Sequence, residues 1–196
     1  GSLGNNSTGN ANTAVGDAAL MRNTIGYHNS SFGTDTLQFN TTGSWNSAIG
    51  TYPLYAKTGG SNVGAGSQAL MWKAAGSNNT AVGTYAGTFQ ANGTNLTMVN
   101  NSTYIGASTR ASANSAINET PIRTGAIGAG SNTTVIGNSS VTHTYLKGET
   151  NTPSLRVAGN TVLEGGTVLE GQVTMAEAQG GTSMGDYQLL PGHVLV

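Results

Sequence analysis

The 196-residue chain is only 8% charged, with a formal net charge of −1, 30 glycines and no cysteine. So little Lys and Arg excludes the electrostatic footprint of nucleic-acid binding, and the lack of cysteine excludes disulfide frameworks and thiolate metal sites. Low charge also argues against a solvated disordered tail. The sequence has no run of about 18 apolar residues to mark a membrane span, so membrane insertion is not expected.

From the N-terminus, the phrase NTAVGDAAL (residues 12–20) returns as NSSFGTDTL (29–37), NSAIGTYPL (46–54) and NTAVGTYA (79–86). Aligned on its glycine, the series runs Gly16, Gly33, Gly50, Gly66, Gly83, Gly106, then Arg123 in the glycine slot, then Gly137. The spacings are 17, 17, 16, 17, 23, 17 and 14 residues. Four residues before the glycine stand Asn12, Asn29, Asn46, Asn62 and Asn79, and four after it Leu20, Leu37, Leu54 and Leu70. A period this short is wrong for paired-helix repeats, and the Gly, Asn and Thr content disfavours helix.

Stacked β-coils remain. The expected fold is all-β: a parallel β-solenoid of about eight coils, each adding about 4.8 Å along the axis. Glycine serves a bend that requires positive φ or close backbone approach, and asparagine stacks its amide from coil to coil. The apolar residue before each glycine (Val15, Phe32, Ile49, Ala65, Val82, Ile105, Ile122, Ile136) is expected to point inward, with the leucines as a second apolar column. The 23-residue step holds about six surplus residues, read as a loop over Phe89 to Val99. The solenoid is assigned to residues 1–142. A β neck at 143–175 carries the tandem TVLEGG and TVLEGQ units, whose alternation is that of short strands. Residues 176–196 form a tail without a readable fold.

The column two after the glycine reads Ala18, Asp35, Tyr52, Gln68, Tyr85. Stacked on successive coils, Tyr52 and Tyr85 would stand about 10 Å apart with Gln68 between them, a spacing suited to sugar rings. Five before the glycine, His28 falls beside Trp45. These five residues, Tyr52, Gln68, Tyr85, His28 and Trp45, are the candidate glycan-binding positions; the competing reading is ordinary surface aromatics that pack between chains. The eight carboxylates are thinly spread and offer no facing pair for glycoside hydrolysis. His28, His143 and His193 lack metal-ligand spacing. No catalytic residue, metal or cofactor is expected, and the chain is not read as an enzyme. An ice-binding face is disfavoured too: Thr13, Ser30, Ser47 and Thr80 share a column, but neighbouring Ala14, Ser31, Ala48 and Gly64 supply no second threonine.

A chain so poor in large apolar residues buries little per coil, so a face shared among three chains would add needed apolar area. Met21, Tyr55, Met71, Phe39, Trp72 and Phe89 are candidates for that face or, alternatively, for the lumen.

The phrase N-[TS]-[AS]-[VI]-G-x-x-A resembles the head repeats of trimeric autotransporter adhesins and of related heads in phage tail fibres. Residues 125–148, GAIGAGSNTTVIGNSSVTHTYLKG, are similar to the end of such a head in tail-fibre proteins, upstream of endosialidase-type chaperone domains. The likeness spans residues 9–148. It implies a left-handed parallel β-roll, three chains side by side, and a place at the tip or shaft of an adhesive fibre. The implied partners are two further copies of the chain, other fibre or virion proteins and a host-surface glycan; the implied location is the virion tail fibre or the extracellular cell surface. Coils of 17 residues depart from the family's shortest repeat, near 14. No coiled-coil stalk, anchor barrel or intact chaperone domain is recognisable, so the phage form is expected over its alternatives, a bacterial surface adhesin head and a self-assembling filament subunit without a receptor.

Overall fold

The computed structural model describes residues 1–56, 59–72, 76–142 and 144. Apart from Thr144, the expected neck and tail, with the TVLEG units, lie outside these residues. The strands are β1 (Thr13–Val15), β2 (Ser30–Phe32), β3 (Ser47–Ile49), β4 (Val63–Ala65), β5 (Thr80–Val82), β6 (Phe89–Gln90), β7 (Thr103–Ile105), β8 (Arg110–Ala111), β9 (Thr120–Ile122) and β10 (Thr134–Ile136). Eight of them form one sheet in the order β1-β2-β3-β4-β5-β7-β9-β10, while β6 pairs with β8. All the pairings are parallel, and equivalent positions of successive repeats face one another: Val15 with Phe32, Phe32 with Ile49, Val82 with Ile105, Ile122 with Ile136. The chain is a parallel β-solenoid of about seven turns, as the period implied.

Each coil turns sharply after a three-residue strand. Gly50 sits at φ 130°, and a Cβ there would lie 2.8 Å from the carbonyl oxygen of Gly66 on the next coil. Both the backbone region and the close approach thus require glycine. Arg123 adopts φ 104° in the same slot. Two further left-handed residues follow in each of the first five coils, such as Ala18 and Leu20, Asp35 and Leu37, or Tyr52 and Leu54. A non-glycine residue held there costs on the order of 1 kcal/mol. Inter-coil hydrogen bonds hold it: the N–H groups of Leu20, Leu54 and Leu70 donate to the carbonyls of Thr36, Ala69 and Ala86 at 3.0, 2.9 and 2.9 Å.

This return segment folds back on the strands and makes the core. Leu20, Leu37, Leu54 and Leu70 are completely buried, as are Ala48 and Ala81 at strand centres. The two sides meet directly, for a Cβ on Gly64, the centre of β4, would stand 3.1 Å from Leu54 Cγ. The lumen is therefore one side chain thick, and large residues on one side demand small ones on the other. Further along, the relation inverts: Gly87 takes the leucine slot, and buried Tyr104 takes the strand centre. A Cβ on Gly87 would lie 2.8 Å from the Tyr104 ring.

The residues before the glycines do not point inward. Val15 is 54% exposed, Ile49 58% and Ile136 56%, and Phe32, Val82 and Ile105 are also exposed. In a three-residue strand an inward centre forces both flanks outward, and the leucines already fill the lumen. Met21, Tyr55, Met71, Phe39, Trp72 and Phe89 are not lumen residues either; all are partly or well exposed.

The asparagine column is a buried amide ladder. Asn29 Oδ1 accepts from the backbone N–H and Nδ2 of Asn46 at 3.0 and 3.1 Å, and Asn46 Oδ1 accepts from the same two groups of Asn62 at 3.0 Å each. Each Nδ2 also donates to a carbonyl, that of Asn46 to Gly59 at 3.0 Å. A second, shorter ladder links Asn6, Asn23 and Asn40. The main column continues with Ser102 and then Glu119, whose buried carboxylate accepts from the N–H groups of Ser112 and Gly130 and from the Tyr104 hydroxyl. The surplus of the long repeat leaves the coil after β6, where residues 91–95 are exposed, and returns at buried Leu96 and Val99. Buried Gln90 pins its base, donating to Thr94 and Asn95 and accepting from the N–H of Asn114.

Candidate functional site

Three surfaces of the solenoid carry chemistry. The first is the outward face of the eight-stranded ladder. Alternation places two side chains of each strand there: Thr13 with Val15, Ser30 with Phe32, Ser47 with Ile49, Thr80 with Val82, Thr103 with Ile105, Thr134 with Ile136. Stacking at about 4.8 Å turns these pairs into a hydroxyl column beside an apolar column roughly 34 Å long. The true companions of the Thr and Ser column are thus not Ala14, Ser31, Ala48 and Gly64, which face the lumen, but the Val, Phe and Ile residues two positions on. A contiguous exposed apolar strip makes this face a candidate interaction surface.

The second surface is the bend that leads into the strands, where the structure brings His28 and Trp45 together. Their rings stack with centroids 4.1 Å apart and planes 20° from parallel. Tyr27, absent from the sequence-based candidates, completes the cluster edge-on, 5.5 Å from His28 and 6.2 Å from Trp45. All three residues are exposed. His28 and Trp45 are left-handed, at φ 54° and 63°, in a column otherwise filled by Ala11, Ser61, Asn78, Asn101, Asn118 and Asn132. Asparagine suits this backbone and an indole does not. The cluster persists because the coil dictates the backbone: the N–H groups of His28 and Trp45 donate to the carbonyls of Asn10 and Tyr27 at 3.1 Å each. Tyr27 escaped the sequence reading because it lies six residues before the glycine, in a column with no other aromatic.

The third surface belongs to the return segments. Tyr52, Gln68 and Tyr85 lie on successive coils, their N–H groups donating to Thr34, Thr51 and Ser67. Gln68 Nε2 donates to the Tyr85 hydroxyl at 3.1 Å, whereas Tyr52 turns to Tyr55, with centroids 5.4 Å apart. The expected platform is thus divided: Gln68 and Tyr85 form one part with Phe89, and Tyr52 joins Tyr55 and Phe39 in another.

Among the described residues no group of three His, Cys, Asp or Glu could hold a metal ion, and no side-chain polar atom is buried without a hydrogen-bond partner. Burial and the Glu119 carboxylate push the Tyr104 phenol far above its usual range, but this pair is buried inside the lumen. No helix among the described residues is long and apolar enough to cross a membrane. In comparisons with known proteins, no family model, curated protein or solved structure matches the chain.

Proposed function

We propose that this chain is a segment of a trimeric adhesive fibre, of the phage tail-fibre or virion-appendage kind, in which three solenoids pack through the outward faces of their strand ladders. The exposed apolar column from Val15 to Ile136 carries the reading. A monomer would leave Phe32, Ile49, Val82 and Ile105 in water along the whole shaft, while three such faces turned to one another bury them together. The resemblance of the repeat phrase to trimeric fibre heads supports the same arrangement. The proposed contact face is therefore the strand columns rather than the Met21, Tyr55 and Trp72 columns, because the strand columns expose the longer apolar row. The bend cluster of Tyr27, His28 and Trp45 then faces outward as the adhesive element, its rings offering flat apolar faces to sugars.

Sedimentation equilibrium tests the assembly: three chains of 19.7 kDa give about 59 kDa. Ile49→Glu should dissociate the trimer, and a wild-type protein that sediments as a monomer rules the arrangement out. Glycan-array binding of neutral sugars that survives Trp45→Ala unchanged would remove the adhesive role of the bend.

A further inference from the structure

We propose that a groove on the return segments, formed by Arg22, Phe39, Tyr55 and Trp72, binds sugars that bear a carboxylate. The groove is shallow and open to solvent, offers about 410 Å³, and is also lined by Thr41 and Ala56. Its residues come from four successive coils: the N–H of Arg22 donates to Gln38, that of Phe39 to Tyr55 and that of Ala56 to Met71, at 3.0, 3.1 and 3.1 Å. At about 4.8 Å per coil the groove runs roughly 14 Å along the axis, the length of a short oligosaccharide.

Charge selects the ligand. The Arg22 guanidinium lies over the Phe39 ring, 4.5 Å from its centroid, and this stacking leaves the N–H edges of the group free. Among the described residues no carboxylate pairs with it: Asp35, one coil further on, accepts from Gln38 Nε2 at 2.7 Å. A flat, stacked, unpaired guanidinium is suited to a carboxylate held by two parallel hydrogen bonds. Next to it, Tyr55 meets Phe39 edge-on at 4.9 Å, and Trp72 is 37% exposed at the far end, so ring faces continue beyond the cation. A neutral sugar would use the rings but leave the guanidinium unmatched; an acidic pyranose, uronic or sialic, uses both.

The inference deepens the adhesive reading and rests on it for context, but not on the trimer, because every groove residue belongs to one chain. The test is calorimetric titration of the full chain with tri-galacturonate and with 3′-sialyllactose, against lactose as the neutral control. At least one acid should bind, and which one does identifies the source of the carboxylate. Arg22→Gln should weaken that binding about ten-fold or more, the loss of one charge-assisted bidentate pair, with Arg22→Lys intermediate. Trp72→Ala should weaken it too, whereas Trp45→Ala, which probes the bend, should not. Unchanged thermal melting of Arg22→Gln separates loss of binding from loss of fold. Equal binding of lactose, an Arg22→Gln variant that binds as wild type, or the absence of any titration would each overturn the proposal. A monomer in the centrifuge would sink the trimer and leave this result standing.

Discussion

At the scale of the residue, the fold depends on side chains that replace backbone partners. Asn46 is the clearest: its amide accepts two hydrogen bonds from Asn62 and gives two, to Asn29 Oδ1 and the Gly59 carbonyl. Asn46→Asp keeps the shape but turns a donor into an acceptor facing two oxygens. It should cost about 2–4 kcal/mol in urea denaturation, the price of a buried polar group left unmatched. Asn12→Asp, at the half-buried start of the ladder, should cost less. Tyr104 is the second case. Burial first, and then the Glu119 carboxylate, favour its neutral phenol in the folded chain. The unfolded chain releases that proton near the ordinary tyrosine value of about 10, where the folded chain still holds it, so the stabilisation is present below that pH and is lost as pH rises above it. Tyr104→Phe should remove this alkaline loss in melts between about pH 9 and 11, at a cost of about 1 kcal/mol at neutral pH for the Glu119 hydrogen bond.

At the scale of the element, one coil is a strand and a return segment whose side chains share a single-layer lumen. The leucine column, the glycine bends, the asparagine ladder and the position of the long loop were all legible in the sequence, because each is a periodic demand of the backbone. The parity of the strands was not. A three-residue strand reads Thr-Ala-Val, and hydrophobicity alone puts the valine inside; what decides is Leu20 and its equivalents, which meet the strand centre and leave room only for Ala, Ser or Gly. Gly87 and Tyr104 obey the same rule with the sizes exchanged. Gly87→Leu should clash with the Tyr104 ring, and Tyr104→Ala should open a cavity worth about 3–5 kcal/mol. Together they rebuild the Leu–Ala combination of the Leu37 and Leu70 coils, which face the Ala48 and Ala81 strand centres, so a double-mutant cycle should give a favourable coupling of about 2 kcal/mol.

At the scale of the whole molecule, the repeat multiplies one coil's exposed pair into an apolar strip, and the proposed association rests on that strip. Melting temperature should therefore rise with protein concentration, and Ile49→Glu should abolish that rise, as mass action requires of a folded state stabilised by its partners. The candidate glycan positions were legible as columns but not as sites. His28 and Trp45 do stack, yet their third ring, Tyr27, lay off the column; Tyr52 left Gln68 and Tyr85 for Tyr55. Ring orientation depends on which neighbour each ring meets, Tyr55 of the same return segment for Tyr52 and Trp45 of the next coil for His28, and the spacing of a single column does not encode that choice.

The sequence by itself determined the period, the bends and the buried amide ladder, since these follow from backbone conformation and hydrogen bonding repeated at fixed spacing. Only the tertiary structure decided which side of each strand faces water. That choice rests on the volume between two packed layers, and it turned a supposed core of Val, Phe and Ile into the outer face of the shaft.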